Sequence, residues 1–313
     1  MDKAALNALL KPKSIAVVGA SATPGKIGYT VIKNMMDSEF EGKIYPINPT
    51  ADEILGLKVY PSVKDIPGKV EAAIITIPAK LVLSVIDDLG QKGVKGMMVI
   101  TSGFSEIGEK ELELELVRRS NAYGMRVLGP NIVGVLSNSG KMNGSFAPML
   151  PLPGKASLVS QSGALLIAID MATFTRNIGF DKLISNGNMA DVDFADTIDW
   201  LDQDPDTQCI SLYIEGFKDG RRFIDSARKA SKPIIALKAG VSEHGAAAAA
   251  SHTGSLAGAV KVYGAAFQQA GVVQAADLND LFNRTLALSL QPPMNGDNLL
   301  VLTNGGGVGV LAT

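Results

Sequence analysis

The 313-residue sequence has little of several residue types: one cysteine, two histidines, one tryptophan and only 5% aromatic residues. A single cysteine, Cys209, excludes an intrachain disulfide and a cysteine-cluster metal site, which fits a reducing compartment. No apolar run approaches the ~18 to 20 residues that a membrane-spanning helix needs. Lys3, Lys11 and Lys13 interrupt the N-terminal apolar stretch and argue against a signal peptide. We therefore expect a cytoplasmic protein.

The chain also has no large excess of either positive or negative charge. The chain carries 29 basic and 31 acidic residues, a formal net charge of -2. This balance gives no basic surface for nucleic acid or for an anionic membrane. What the chain has instead is 46% hydrophobic residues and 33 glycines, a composition typical of an α/β enzyme. Its length predicts two domains.

Short apolar, β-branched runs alternate with helical segments in the first half of the chain. We predict strands over residues 14–19, 43–47, 72–77, 96–100 and 126–128, with amphipathic helices such as 80–91 and 108–123 between several of them. This alternation predicts a mostly parallel sheet in a Rossmann-like domain over residues 1–150. Ligands of such sheets bind outside the carboxyl ends of the strands.

The loops after these strands are therefore the predicted ligand edge. The first loop, residues 19–26, has small residues that let a backbone approach a phosphate, and Lys26 could neutralise one. It lacks a clean GxGxxG pattern, and the second strand runs into Asn48-Pro49 where NAD-binding domains place an acidic residue. An NAD-dependent reductase is therefore disfavoured. Ordinary turn chemistry is the alternative for the glycines and prolines.

The second half repeats the alternation after a turn-rich segment, residues 143–154. Strands are predicted over 156–160, 182–185, 209–214 and 233–238. Residues 161–166 are typical of a turn into a helix, whose free N–H groups suit a phosphate; an ordinary Ser N-cap is compatible with this. Four acidic residues could suggest a cation site, but we expect them to favour a helix start and face water, and we assign no metal. They are Asp191, Asp193, Asp196 and Asp199.

His252 lies among Ser, Thr and Gly, so its imidazole is uncrowded. An imidazole ionises at pH ~6.5, so its neutral, nucleophilic form is abundant in the cell. The alternative is an incidental surface histidine at an Ala-rich helix start. The other histidine, His244, is interpreted as a bystander.

The motif SHTGSLAGA resembles the phosphohistidine loop of the NDP-forming acyl-CoA synthetases, the superfamily of succinyl-CoA synthetase and ADP-forming acetyl-CoA synthetase. Further motifs follow in the family's order over essentially the whole chain: VVGAS, PGKIG, YPINP, TIPA, ITSGFSEIG, LGPNIVG, LVSQSGAL, GNMADVDFADTIDWL, YIEG and KPIIALKAG. The resemblance implies an α/β chain with a Rossmann-like CoA-binding domain, residues 1–150, and a flavodoxin-like domain, residues 151–292. Residues 293–313, read as a new strand and a Gly-rich loop, would open a third, truncated flavodoxin-like domain.

The resemblance implies CoA as the cofactor and assigns roles to residues of this chain. The CoA phosphates would lie near the first loop, at Gly19, Ser21, Thr23, Gly25 and Lys26. Adenine would lie near the second loop, at Asn48 and Pro49. The pantetheine arm would run along the later loops, at Ile77, Pro78, Ser102, Gly103 and Asn131. Phosphate would contact Ser160, Ser162, Gly163 and Gly187. In the succinate enzymes a Cys follows the Pro-Asn pair, whereas here Ile132 does, so no role of that thiol carries over.

The catalytic residues implied are His252, as the phosphoryl carrier, and Glu215, which would orient its ring. The alternative for Glu215 is an ion pair with Lys218, Arg221 or Arg222. We see no ATP-grasp portion, so ATP or ADP with Mg²⁺ is expected on missing sequence or a β subunit, without which the fragment would be inactive.

The predicted function is an acyl-CoA synthetase acting on CoA, phosphate and a small carboxylic acid, as an oligomer, without nucleic acid or membrane as a partner. The alternative is a CoA- or acyl-CoA-sensing regulatory module of a protein acyltransferase. An intact His252, Glu215 and SQSG set favours the enzyme, because a sensor needs no nucleophile.

Overall fold

The computed structural model describes residues 3–240 and 260–312, except 293–295, 297 and 299. In this part of the chain, parallel sheets are flanked by helices, as predicted. None of its helices is long and apolar enough to cross a membrane.

The first sheet has five parallel strands in the order β2-β1-β5-β6-β7. The elements are α1 (Lys3–Leu10), β1 (Ser14–Val18), α2 (Ile27–Asp37), β2 (Lys43–Ile47), the short pair β3 (Glu53–Ile54) and β4 (Leu57–Lys58), β5 (Ala72–Ile75), α3 (Ala79–Gln91), β6 (Gly96–Val99), α4 (Lys110–Ala122) and β7 (Arg126–Leu128). The strands β1, β5 and β6 are buried throughout because helices cover both faces of the sheet. Their carboxyl ends share one edge, so the predicted ligand loops meet there.

The second sheet has seven strands in the order β14-β13-β12-β10-β11-β8-β9. The elements are β8 (Gly134–Ser137), β9 (Met142–Ser145), β10 (Ala156–Ser160), α5 (Gly163–Arg176), β11 (Phe180–Ser185), α6 (Phe194–Gln203), β12 (Cys209–Ile214), α7 (Gly220–Lys229), β13 (Ile234–Lys238), α8 (Val260–Ala270), β14 (Val273–Ala275) and α9 (Leu278–Leu290). Strands β10 to β14 are parallel, whereas the β8–β9 hairpin joins β11 in antiparallel fashion.

The β8–β9 hairpin contacts both halves of the molecule. It is hydrogen-bonded into the second sheet, but β9 also packs against α2 of the first half. The Asn34 side-chain amide on α2 donates to the carbonyls of Ser145 (2.9 Å) and Ala147 (2.8 Å). The two sheets therefore divide between β7 and β8, and the domain limits 1–150, 151–292 and 293–313 stay predictions.

The strand predicted to start a third domain does not occur among the residues of this segment that the structure describes. Residues 300–302 belong to no sheet, with Leu300 88% and Leu302 93% exposed, and Gly306–Ala312 forms the helix α10. A strand needs a neighbour to satisfy its backbone groups, and no described strand pairs with these residues.

The expectation that the acidic residues before and within α6 face water is wrong for Asp191 and Asp196. The carboxylate of Asp196 is 1% exposed and lies between Arg126 (3.0 Å) and Arg222 (2.5 Å). Asp191 pairs with Arg126 at 2.8 Å. Burial pushes the pKa of Asp196 upward, but the two guanidinium groups outweigh it and hold the pKa below its usual value. The helix-start prediction holds, because Asp193 caps α6.

Candidate active site

A cavity of about 1040 Å³ lies where the carboxyl ends of the two sheets meet. Turns after β5, β6 and β7 form one side, and turns after β10, β11 and β12 form the other. The residues predicted for pantetheine and those predicted for phosphate and catalysis line the same space: Ile77, Pro78, Ser102 and Asn131 from the first half, and Ser162, Gly163, Gly187 and Glu215 from the second. The structure thus brings together two groups of residues that are up to 138 positions apart in the sequence.

The loop after β1, predicted for the CoA phosphates, lies outside the cavity lining. Residues 22–27 are exposed, and Ile27, at the start of α2, is where the loop reaches the cavity. Gly19 has φ +92°, and a Cβ there would lie 2.7 Å from the Thr76 hydroxyl. A Cβ on Gly28 would lie 2.1 Å from the Gly19 carbonyl. The sequence analysis missed Gly28, although it is the last letter of PGKIG.

Asn48 joins the first two loops of this edge. Its amide nitrogen donates to the Ala20 carbonyl at 2.8 Å, and its oxygen accepts from the Thr50 N–H at 2.9 Å. Pro49 is exposed beside it. Gly103, with φ +110°, follows Ser102 but is not part of the cavity lining. Of the residues predicted for adenine and the CoA phosphates, Thr23, Gly25, Lys26 and Pro49 form an exposed rim. The residues Ile77, Pro78, Ser102 and Asn131, predicted for pantetheine, line the cavity.

The start of α5 is the predicted phosphate seat. Ser162 is the N-cap, and its hydroxyl accepts from the Leu165 N–H at 3.3 Å. The N–H groups of Gly163 and Ala164 have no carbonyl one turn earlier to bond, and both residues line the cavity. Ser160 is fully buried beneath this turn, where its hydroxyl donates to the Ser162 carbonyl at 2.8 Å. Ser160 therefore shapes the turn and does not line the cavity.

Gly187, the other predicted phosphate contact, sits tightly against the turn after β7. Its φ is +52°, and a Cβ there would lie 2.4 Å from the carbonyls of both Pro130 and Asn131. The next residue, Asn188, donates its N–H to the Pro130 carbonyl at 3.0 Å. Only glycine allows both this φ and this approach.

Glu215 follows β12 and lines the cavity. The Gln161 side-chain oxygen accepts from the N–H groups of Glu215 (2.6 Å) and Gly216 (3.0 Å), so it fixes the backbone on which the carboxylate is carried. Sequence analysis missed Gln161, although it stands inside LVSQSGAL. The alternative for Glu215 is an ion pair with one of three basic residues, each of which has another acidic partner. Lys218 pairs with Glu113, Arg221 with Asp225, and Arg222 with Asp193 and Asp196.

His252 and His244 lie outside the described residues. The chain on both sides of that segment is anchored beside Glu215. The Ala239 N–H, after β13, donates to the Ile214 carbonyl at 2.8 Å. On α8, Tyr263 stacks on Phe217 with ring centroids 5.7 Å apart. The described residues that flank this segment, Ala239 and Tyr263, therefore lie next to this part of the cavity.

A hydrogen-bond network that the sequence analysis did not identify crosses the cavity between the two halves. The Asn188 amide nitrogen donates to Glu106 (2.6 Å) and Glu113 (2.8 Å), and its oxygen accepts from the Asn131 amide at 3.3 Å. Glu106 in turn accepts from the Gly103 N–H at 2.5 Å. Burial pushes the pKa of Glu106 upward, but the hydrogen bonds from Gly103 and Asn188 outweigh it and keep the pKa below its usual value.

A second acidic cluster, Asp181, Asp204 and Asp206, could geometrically hold a cation. The fully buried Lys182 ammonium already pairs with Asp181 and, at 2.7 Å, with Asp204. An ammonium at this position supplies the positive charge that the carboxylates require.

Two family models match the chain. Residues 13–138 match a CoA-binding domain, and residues 153–288 match the succinyl-CoA ligase like flavodoxin domain. Together with the two parallel sheets, these matches define the class: a CoA-binding domain followed by a flavodoxin domain of the succinyl-CoA ligase type.

Individual relatives narrow this class. The chain is 51% identical over 98% of its length to the alpha subunit of the ADP-forming acetate–CoA ligase I of Pyrococcus furiosus, of which it covers 68%. It is 46% identical to the ADP-forming acetate–CoA ligase of Methanocaldococcus jannaschii, matching over 96% of its own length and 43% of that relative. The chain belongs to the family of ADP-forming acyl-CoA ligases and matches about two thirds of the length of its alpha-subunit members.

A solved structure agrees with this assignment. The dinucleotide-forming acetyl-coenzyme A synthetase 1 of Ca. Korarchaeum cryptofilum, in complex with phosphate and ADP, is 52% identical, with a TM-score of 0.94 over 99% of this chain and 68% of the other. The predicted ligase class and fold are confirmed, and the sensor alternative is not favoured.

Proposed function

We propose that this chain supplies the CoA site and the phosphoryl-carrying histidine of an ADP-forming acyl-CoA ligase. The observation that carries the proposal is the single cavity shared by Ile77, Ser102 and Asn131 on one side and Gly163, Gly187 and Glu215 on the other. A thioester at the end of a pantetheine arm, a phosphate and a histidine must meet within bonding distance for this reaction. Residues that line one shared cavity can bring these groups together.

The residues present suit CoA. Its phosphates would lie on the rim, at Gly19, Ser21, Thr23, Gly25 and Lys26, where small residues and one ammonium accept anionic groups. Adenine would lie at Asn48 and Pro49. The pantetheine arm would follow Ile77, Pro78, Ser102 and Asn131 into the cavity, with Gly103 shaping the loop between.

The phosphate would bind at the N-terminus of α5. Its oxygens would accept the N–H groups of Gly163 and Ala164, favoured by the partial positive charge at that end of a 14-residue helix. Ser162 and Gly187 would complete the seat, and Ser160 would support it from beneath. In the direction of ATP synthesis, a phosphate oxygen forms a bond to the thioester carbon, the C–S bond breaks, and the CoA thiolate takes up a proton.

The resulting acyl phosphate would react with His252. An imidazole nitrogen forms a bond to phosphorus, and the P–O bond to the acyl group breaks to release the carboxylate. Glu215 would accept a hydrogen bond from the other ring nitrogen and stabilise the positive charge that develops. An ADP oxygen then takes the phosphoryl group, and the N–P bond breaks.

The nucleotide would bind elsewhere. We propose that ATP or ADP, with Mg²⁺, binds an ATP-grasp portion on further sequence or on a β subunit, that the carboxylic acid substrate is small, and that the complex is an oligomer in the cytoplasm. The support is that the chain spans about two thirds of its alpha-subunit relatives and less than half of its single-chain relatives.

Phosphoryl labelling of the assembled enzyme tests this function. With [γ-³²P]ATP, the wild-type complex should gain acid-labile, base-stable label on this chain. His252→Ala should abolish both label and turnover, whereas the matched variant His244→Ala should keep them. Glu215→Gln should slow labelling without unfolding the chain. Near-normal turnover of His252→Ala would rule out the phosphohistidine mechanism.

A further inference from the structure

Asn188 is the one described side chain that hydrogen-bonds the three elements of the first half facing it across the cavity: Asn131, the turn at Ser105 and Glu106, and Glu113 on α4. Its backbone belongs to the turn after β11 that begins with Gly187. It therefore connects residues proposed for pantetheine with a residue proposed for phosphate.

The direction of each hydrogen bond is fixed by chemistry. Carboxylates only accept, so the Asn188 nitrogen must face Glu106 (2.6 Å) and Glu113 (2.8 Å), and its oxygen must face the Asn131 amide (3.3 Å). The Ser105 hydroxyl, at 3.3 Å, is a longer third neighbour of the same nitrogen. Two carboxylates held this close need a donor between them, and Asn188 is that donor.

The acceptors carry the effect onward to the loop proposed for pantetheine. Glu106 accepts the N–H groups of Gly103 (2.5 Å) and Phe104 (3.2 Å), so its position sets the backbone directly after Ser102. Glu113 is 6% exposed and is held from the second half by Lys218 at 3.3 Å. A shift of Asn188 would therefore move the Ser102 loop and Asn131 relative to Gly187.

We propose that Asn188 is a positioning residue that sets the distance and orientation between the thioester end of acyl-CoA and the phosphate seat. The proposal rests on the proposed function of this cavity. Asn188 forms no bond to the reacting atoms; it fixes the Ser102–Glu106 loop and Asn131 against the Gly187 turn. Its loss should weaken the use of acyl-CoA and of phosphate together, because the same side chain holds both sites.

Steady-state kinetics of the assembled enzyme with acetyl-CoA, inorganic phosphate and ADP test this role. Asn188→Ala should raise KM for both acetyl-CoA and phosphate by about tenfold, the scale of losing hydrogen bonds to charged groups. Asn188→Asp should have a larger effect, about a hundredfold in kcat/KM, because it places a third carboxylate against Glu106 and Glu113. The matched control is Asn138→Ala, whose amide bonds two carbonyls (3.0 and 2.7 Å) away from the cavity. It should lower the melting temperature and leave both KM values unchanged.

A second variant tests the pairing itself. In Asn188→Asp, the added change Glu106→Gln restores an amide–carboxylate pair with the partners exchanged, and should recover activity at least threefold over the single variant. No recovery, or KM values within twofold of wild type in folded Asn188→Ala and Asn188→Asp, would overturn the proposal. Failure of the proposed function is seen separately, as a wild-type complex that forms no ATP from acetyl-CoA, phosphate and ADP.

Discussion

The two sides of the cavity are built differently. On the side predicted for CoA, residues 22–27 of the loop after β1 are exposed, and hydrogen bonds within the loop, such as that from the Thr23 N–H to the Ser21 hydroxyl at 3.1 Å, hold this outer part. On the phosphate side, the turns at Ser162 and Gly187 rest on other parts of the fold: Gly163 on Val133, and Gly187 on Pro130 and Asn131. We call the exposed part of the loop after β1 the rim, and the packed turns at Ser162 and Gly187 the seat.

On the proposed placement of CoA and phosphate, this difference matches what each ligand group needs. An adenosine phosphate is large and partly hydrated, so it can lie on an exposed rim and lose little when one contact is removed. A phosphate that must react needs donors fixed before it arrives, because preorganised groups cost no rearrangement during the reaction. Substitutions in the packed seat should therefore have much larger effects than those on the rim.

The largest effect should come from Gly187→Ala. The added methyl would meet two backbone carbonyls at 2.4 Å, at a φ of +52° that side chains disfavour. We expect at least a hundredfold loss of turnover in the assembled enzyme. Gly124→Ala is the matched control, because Gly124 also has positive φ (+69°) but has nothing within 4 Å of the built Cβ. It should cost about 1 kcal/mol in stability, the usual cost of a left-handed backbone for a non-glycine residue, and leave turnover intact. Equal losses in both variants would contradict the packed seat.

A smaller effect concerns stability. It tests whether α5, the helix that begins at the predicted phosphate seat, buries an ionisable side chain away from water. Asp170, on α5, is fully buried, and neither carboxylate oxygen has a hydrogen-bond partner among the described residues. Burial raises the pKa of Asp170 to about 7. Unfolded chain loses this proton near pH 3.9, whereas the folded chain keeps it to about pH 7, so stability should fall as pH rises between these values and stay lower above them.

Asp170→Asn should remove that dependence. The free energy of unfolding, measured by urea denaturation, should exceed the wild-type value at pH 8 by a few kcal/mol at most, on the order given by the pKa difference. The two proteins should converge near pH 4. Asp87→Asn, at an exposed site on α3, is the control and should change little. A constant difference between the Asp170 variant and wild type at all pH values would show that Asp170 does not titrate as described.

The smallest effect should come from the rim. Lys26→Ala should raise KM for CoA two- to fivefold, the range expected for one exposed charge, and the effect should shrink in high salt. Lys33→Ala, about two helical turns further along α2 and paired with Asp37, should have none. A loss from Lys26→Ala as large as that from Gly187→Ala would erase the distinction between rim and seat.

Sequence patterns predicted the parallel strands of both sheets except β14, together with the helices over 80–91 and 108–123, because apolar period and turn residues are local signals. They missed α1, whose position depends on distant partners: the Trp200 indole donates to Asn7 at 2.8 Å, and Lys3 donates to Gln203 at 3.0 Å. They also missed the β8–β9 hairpin, since five of its eight strand residues are Gly, Ser or Asn and only Val135 is β-branched.

The site shows the same limit. Motifs identified the turns at Ser162, Gly187 and Glu215, because each is a continuous run of residues. The roles of Gln161 and Asn188 depend on acceptors and donors 54 to 82 positions away, which no local pattern reports. The acidic residues of α6 were misjudged for the same reason: Arg126 and Arg222, which neutralise Asp196, are 70 and 26 positions from it.

The β8–β9 hairpin has a consequence for how such enzymes are assembled from gene segments. Asn34 and α2 hold a hairpin that is hydrogen-bonded into the second sheet, so no flexible linker separates the two parts of the chain. A cut between residues 138 and 153 would therefore leave each of the two fragments with an exposed sheet edge where they had been in contact. The two parts of the chain should therefore be inherited together as one unit. The relatives agree: a separate alpha subunit and a single longer chain match 98% and 96% of this chain, so differences in subunit division fall outside it.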